Sequence, residues 1–196
     1  MDITQLILDD HCEQRRLFAI LEQVGRGDTR TLEAIWARLT AFLEVHAAAE
    51  EEIFYPELLR VGMSAGGAAS AEEETLDAIH DHNDIRDAIA EVAGQQAGSS
   101  EWFAAVAAVN LANGDHMAEE EREGLTDFRR RAGLQLRHEL AVAFAGFEAT
   151  HFAGVPAVDK DPQVYVREAE RNIAGPASMG RPDGSLGIGS LGKRPT

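Results

Sequence analysis

His46-Ala47-Ala48-Ala49-Glu50-Glu51 and His116-Met117-Ala118-Glu119-Glu120-Glu121 are two copies of one phrase. On a helix, residues four apart project from the same face, so each His-x-x-x-Glu pair can hold one side of a metal ion. Upstream of each copy stands an acid and an imidazole, Asp10-His11 and Asp81-His82; the histidines are separated by 35 residues in the first half and 34 in the second. Four histidines and two glutamates in this order predict a two-metal site inside a helical bundle. The candidate ligands are His11, His46, Glu50, His82, His116 and Glu120.

The segments around these residues read as amphipathic helices. The first runs from about Thr4 to Val24, with Ile3, Ile7, Phe18 and Leu21 near one face, and stops at Gly25 and Gly27. The second starts near Asp28 or Thr29 and repeats Leu32, Leu39, His46 and Ile53 every seven residues, which puts His46 in the core. Pro56 and the run from Gly62 to Ser70 predict a middle loop. Ser70-x-x-Glu73 predicts a capping box opening the third helix, which carries Ile79, Ile85, Ile89 and Val92 on one side. Gly94 to Ser100 breaks it, and the fourth helix lines up Trp102, Val106, Val109, Asn113, His116 and Glu120. A fifth helix, about Leu134 to His151, is expected to pack outside the bundle through Leu140, Phe144 and Phe147.

Placing Glu50 and Glu120 on core faces is costly without a counter-charge, and neither has a Lys or Arg one turn away on its own face. A dinuclear cation site supplies that charge, with carboxylates bridging and imidazoles completing each shell. His80 and His82 compete for the third-helix position and point about 160° apart. His82 shares a side with the isoleucines, so it is the choice. Tyr55 and Asn113 are candidates for supporting hydrogen bonds, Tyr55 otherwise being a packed, half-exposed ring. Asp10 and Asp81 read as surface or interhelix partners, Glu51 and Glu121 as solvated charges, His138 as a surface residue and His151 as a packing or helix-end group.

A net charge of -16, from 34 acidic and 18 basic side chains, argues against nucleic acid as a partner. No apolar run reaches the length of a membrane span, and the first residues lack the basic-then-apolar plan of a secretory signal, so a cytoplasmic protein with no membrane partner is expected. The single cysteine, Cys12, excludes an intramolecular disulfide.

At the residues named above, and through Glu50-Glu51-Glu52-Ile53-Phe54-Tyr55-Pro56, the chain resembles the hemerythrin-like, or HHE cation-binding, family over about residues 1–155. The resemblance implies an all-α, up-down-up-down four-helix bundle holding two iron ions with an oxo or hydroxo bridge. It also implies an open position for a small ligand such as O2, peroxide or NO. Respiratory hemerythrins carry a second His one turn before the third-helix ligand, where this chain has Ala78. They also have an Asp five residues after the fourth-helix His, where this chain has Glu120 at four. Fewer nitrogen donors favour redox chemistry in oxidative or nitrosative stress defence over reversible oxygen carriage. The same ligands would equally serve a non-enzymatic oxygen or iron sensor or an iron buffer.

From residue 175 the composition turns to Gly, Pro and Ser, which predicts a disordered tail over residues 175–196 after a connecting segment, 156–174. Asp183-Gly184-Ser185-Leu186-Gly187-Ile188-Gly189-Ser190-Leu191, followed by Lys193 and Arg194, resembles the C-terminal cargo-loading peptides of encapsulin nanocompartments. Leu186, Ile188 and Leu191 are spaced by small residues that let an extended backbone lie on a shell wall with three apolar anchors in pockets. The two resemblances together imply a cytoplasmic encapsulin cargo, and they leave a homo-oligomer open.

Overall fold

The computed structural model describes residues 1–64 and 68–175, and among these every regular element is helical. Four long helices form an up-down-up-down bundle: α1 (Ile3–Gln23), α2 (Thr29–Ala49), α4 (Ala68–Ala93) and α5 (Ser100–Arg122). Polar side chains cap three of their starts. Asp2, Asp28 and Ser99 accept from the backbone N–H of Thr4, Thr31 and Trp102, satisfying donors that the first turn leaves free. Gly98, with φ of 83°, turns the chain between α4 and α5 against the α1–α2 connection. A Cβ there would sit 2.2 Å from the carbonyl oxygen of Arg26, so only glycine fits.

The end of α2 departs from the α-helical repeat. Residues Glu50–Phe54 form a π-helical turn, closed by the Tyr55 N–H on the Glu50 carbonyl, and α3 (Tyr55–Ser64) follows without a break. The predicted loop at Pro56 is therefore a helix that runs through the proline, and the Glu51 carbonyl five residues back accepts from the Tyr165 hydroxyl in place of the missing N–H. The extra residue per turn shifts the seven-residue repeat by one, so Phe54 is fully buried and Ile53, expected in the core, only partly.

Other expectations are corrected in detail. Helix α4 begins at Ala68, ahead of the predicted cap, and the Ser70 hydroxyl bonds Glu74 instead of capping. Two short helices, α6 (Gly124–Arg131) and α8 (Pro162–Ala174), stand where the pattern predicts none. The fifth predicted helix is α7 (Leu134–Thr150), and as expected it packs on the outside of the four-helix bundle. Its Ala141 and Phe144 are fully buried against α1, α2 and the π turn. Leu186, Ile188 and Leu191 lie outside the described residues.

The apolar interior of the four-helix bundle is split in two, and a third, small cluster of Leu59, Val166 and Ala169 lies under α8. One cluster holds Leu17, Leu21, Leu32, Leu39, Trp102 and Val109; the other holds Ile3, Ile7, Phe54, Leu58, Ile79 and Phe128. Between them each long helix contributes one buried histidine, His11, His46, His82 and His116.

Candidate metal centre

All six residues singled out by the repeat are buried, and their polar ends face one another. Ligand atoms of His11, His46 and Glu50 lie within 4.8 Å of one another, as do those of Glu50, His82 and His116. Glu50 is thus common to two three-residue groups. His46 Nε2 is 2.9 Å from Glu50 Oε1, His82 Nε2 is 3.4 Å from Glu50 Oε2, and His11 Nε2 is 3.4 Å from Glu120 Oε2. The Nε2 atoms of His82 and His116 face each other at 3.2 Å, a spacing suited to two donors on one cation or one shared proton. His11 Nε2, His46 Nε2, Glu50 Oε1 and Glu120 Oε2 have no aligned hydrogen-bond partner although fully shielded from solvent. Orphaned lone-pair atoms on His11, His46 and Glu50, three residues whose ligand atoms cluster within 4.8 Å, fit a cation. His80, by contrast, is 67% exposed.

Every imidazole is held from behind by a carboxylate on another element. His11 Nδ1 meets Glu121 at 2.9 Å, His46 Nδ1 meets Asp10 at 3.1 Å, His82 Nδ1 meets Glu51 at 2.8 Å, and His116 Nδ1 lies 3.4 Å from Asp81. A proton on Nδ1 shared with a carboxylate leaves the Nε2 lone pair free and aimed inward, the arrangement that orients metal-binding histidines. Asp10 and Asp81 are the interhelix partners expected. Glu51 and Glu121 are not the solvated charges expected: Glu51 is buried and Glu121 half-buried. Spacing within one helix misses them because each reaches an imidazole of the opposite half. The available signal was the repeat itself, since both halves carry a second Glu and an Arg four residues after the first His. Arg86 bonds Glu51 at 3.0 Å, and Arg15 bonds Glu121 at 2.8 Å.

Burial alone would depress the imidazoles, yet the surrounding carboxylates outweigh it. Glu50 and Glu51 lift His82 to about 9, Glu50 and Asp10 raise His46 well above its ordinary value, and Glu120 and Glu121 raise His11. Burial would raise Glu51, but His82, Lys160 and Arg86 hold it down at about 2. Glu50 is likewise held well below the usual range by His46 and His82. Without metal, the carboxylates therefore favour the protonated form of His11, His46 and His82.

Tyr55 is buried, not half-exposed, and its hydroxyl donates to Glu120 Oε1 at 3.0 Å. Its partner Glu50 Oε2 is 3.5 Å away. The π turn makes this possible, because five residues along an α-helix would place Tyr55 about 140° around from Glu50. Asn113 turns away from the imidazoles and donates to Gln14 Oε1 at 2.9 Å, one turn from the centre. His151 ends α7, its Nδ1 at 2.9 Å from the Phe147 carbonyl, and His138 is exposed. Behind His46, Asp10 and Glu148 form a carboxylate pair; burial and Asp10 push Glu148 up to about 7.

A pocket of about 40 Å³ reaches the centre between α3, α4 and α5. Its buried lining is Tyr55, Leu58, Ala78, His116, Glu120 and Gly124.

Four inward histidines and two buried glutamates in a helical bundle define a carboxylate–imidazole metal protein. The chain belongs to the hemerythrin family: the model of the hemerythrin HHE cation-binding domain matches residues 2–126. No curated protein and no solved structure matches it. Helices α7 and α8 lie beyond the matched residues. Among the described residues no helix is long and apolar enough to cross a membrane.

Proposed function

We propose that the chain is a non-haem di-iron protein that reacts with O2, peroxide or NO as the cargo of an encapsulin shell, in defence against oxidative or nitrosative stress. The observation that carries the metal part is the pair of three-residue groups sharing Glu50, with the orphaned atoms of His11, His46, Glu50 and Glu120 around them. Glu50 and Glu120 would bridge the two ions, His11 and His46 would serve one, and His82 and His116 the other. A bound iron pair supplies redox electrons and a coordination position for a small ligand. The protein's own groups do the rest. Glu51, Glu121, Asp10 and Asp81 hold the imidazoles in the ligating tautomer, and Tyr55 steers Glu120 while keeping a proton at the rim of the centre.

The shell assignment rests on Leu186, Ile188 and Leu191 and on a tail whose Gly-rich spacing suits an extended, wall-bound peptide. Anaerobic loading with ferrous iron followed by air should give about two irons per chain, as two ligand groups require, with the near-ultraviolet bands of an oxo-bridged ferric pair. One metal per chain, or zinc without such bands, rejects the di-iron reading. Consumption of peroxide or NO far beyond the protein concentration marks an enzyme; a single stoichiometric event marks a sensor or buffer. Changing Leu186, Ile188 and Leu191 together to Ala should abolish co-purification with shell protein and leave iron content unchanged. Normal loading of that variant removes the shell from the reading.

A further inference from the structure

We infer that the pocket between α3, α4 and α5 is where the small ligand reaches the centre, and that it admits neutral molecules of two or three heavy atoms while turning anions away. The inference rests on the di-iron reading above and adds to it a route, a size limit and a charge preference.

Size follows from volume. One water needs roughly 10–15 Å³ of such space, so a pocket of about 40 Å³ takes a diatomic or triatomic ligand and nothing much larger. Charge follows from the rim, formed by the half-buried Glu74 and Asp81 and the exposed Asp77, Glu119 and Glu123, with no Lys or Arg in the lining. Arg122 is bound to Glu123 at 2.7 Å, Asp81 lies 3.4 Å from His116 Nδ1 and Arg131 acts on Glu74 from outside the lining, so the five rim carboxylates still outnumber the positive groups near them. An anion entering a narrow, low-dielectric mouth of like charge is repelled, whereas a neutral ligand is indifferent to it. Inside, the carboxylate of Glu120 is 7% exposed and its Oε2 has no hydrogen-bond partner. A second buried and unpartnered oxygen, Glu74 Oε2, stands nearer the mouth.

Gly124 sets the aperture. A Cβ added there would meet Glu120 Cγ at 3.6 Å, Glu74 Oε2 at 3.7 Å and Leu58 Cδ2 at 3.8 Å, all ordinary contacts. A larger side chain at Gly124 would grow from this wall into the opening. The competing approach is a pocket of about 20 Å³ beside His46 and His82, lined by Leu43, Ile85 and Ile89. It has half the room and is held by Arg86, bonded to Glu44 at 3.0 Å.

The test uses the full-length, iron-loaded protein with two probes of similar size, neutral NO and anionic azide, followed by absorption titration and rapid mixing. Glu74→Gln should tighten azide binding about fivefold and leave NO within about twofold, as removal of one nearby like charge requires. Gly124→Leu should slow binding of both probes about tenfold or more at unchanged iron content, as a plug in this route would. Gly124→Ala, whose methyl fits without a clash, gives a smaller slowing in the same direction and serves if the leucine variant misfolds. Unchanged binding rates in the Gly124 variants with iron intact, or slowing by Ile89→Trp instead, overturn the route. Azide affinity unmoved by Glu74→Gln overturns the charge preference. A chain that takes up no iron rejects the di-iron reading itself, and iron content, measured first, tells the two failures apart.

Discussion

The two halves of the bundle hold their first histidines by one plan and bury them by two. In one half His82, Glu51 and Arg86 form a chain of contacts; in the other His11, Glu121 and Arg15 form its counterpart. The Glu51 side chain is 1% exposed and that of Glu121 is 29% exposed. The difference comes from outside the repeat. Lys160 places its Nζ 2.6 Å from Glu51, Asn83 grips the Lys160 backbone at 2.7 and 3.1 Å, and the Tyr165 hydroxyl donates to the Glu51 carbonyl. Nothing equivalent covers Glu121 among the described contacts. The same His–Glu–Arg pattern therefore yields a sealed arm and an open one, decided by a distant segment that lies over one of them and is held there by Asn83, where the other half has Cys12.

The comparison is broken most directly at the two glutamates. Glu51→Ala should cost roughly 3 kcal/mol, because buried His82 loses its Nδ1 partner and Arg86 keeps only Glu44 as a charged partner, whereas Glu121→Ala should cost about 1 kcal/mol or less. Chemical denaturation of the metal-free variants checks this, and equal losses would mean that the covering segment contributes nothing.

Acidity gives the next largest effect. His82, raised to about 9 from 6.5, contributes stability that is complete below about pH 6.5 and is lost as pH rises through 9. Glu51, lowered to about 2 from 4.5, contributes stability present above about pH 4.5 and lost as pH falls through 2. Metal-free protein should be most stable between these limits, at roughly pH 4.5 to 6.5. Metal affinity should run the other way above pH 6.5, rising towards pH 9 as His82 gives up its proton. A metal-free denaturation midpoint that does not fall between pH 6.5 and 9 would contradict the sealed pairing.

Smaller effects sharpen the contrast. Tyr55 has Leu125 at the corresponding place after Glu120, so only one half supplies a hydroxyl to the centre. Tyr55→Phe should cost about 1–2 kcal/mol in the metal-free protein by leaving Glu120 without its donor. Thermal melting would register it. Lys160→Met, at a residue 37% exposed, should cost about 0.5 kcal/mol or less in stability. Its sharper signature is the Glu51 carboxyl, which should titrate higher by NMR once the ammonium is gone.

Most of the centre was legible because helical spacing is local arithmetic. The stripe from Trp102 to Glu120 is buried residue for residue, and the opposed facing of His80 and His82 followed from two positions of separation. The π turn was not legible: one extra residue in a turn leaves no mark in a periodic pattern, and it alone brings Tyr55 over Glu50. Pro56 read as a loop because proline ends helices more often than it opens them. The grip of Lys160 on Glu51 spans 109 positions and involves single polar residues, which no periodicity records.

The polar layer between the two apolar clusters also decides how the bundle comes apart. Helices α1, α2 and α4 place buried residues in both compartments, and α5 leads from one of them into α6, whose Leu125 and Phe128 lie in the other. Without a cation the layer is held only by hydrogen bonds and ion pairs, and these alone couple the two compartments. A bound cation pair would tie one residue from each of the four helices into a single knot, so that loosening either end strains the same joint. Reactivity and cohesion then reside in the same few atoms, and the occupancy of the centre sets whether the protein melts as one cooperative unit or as two.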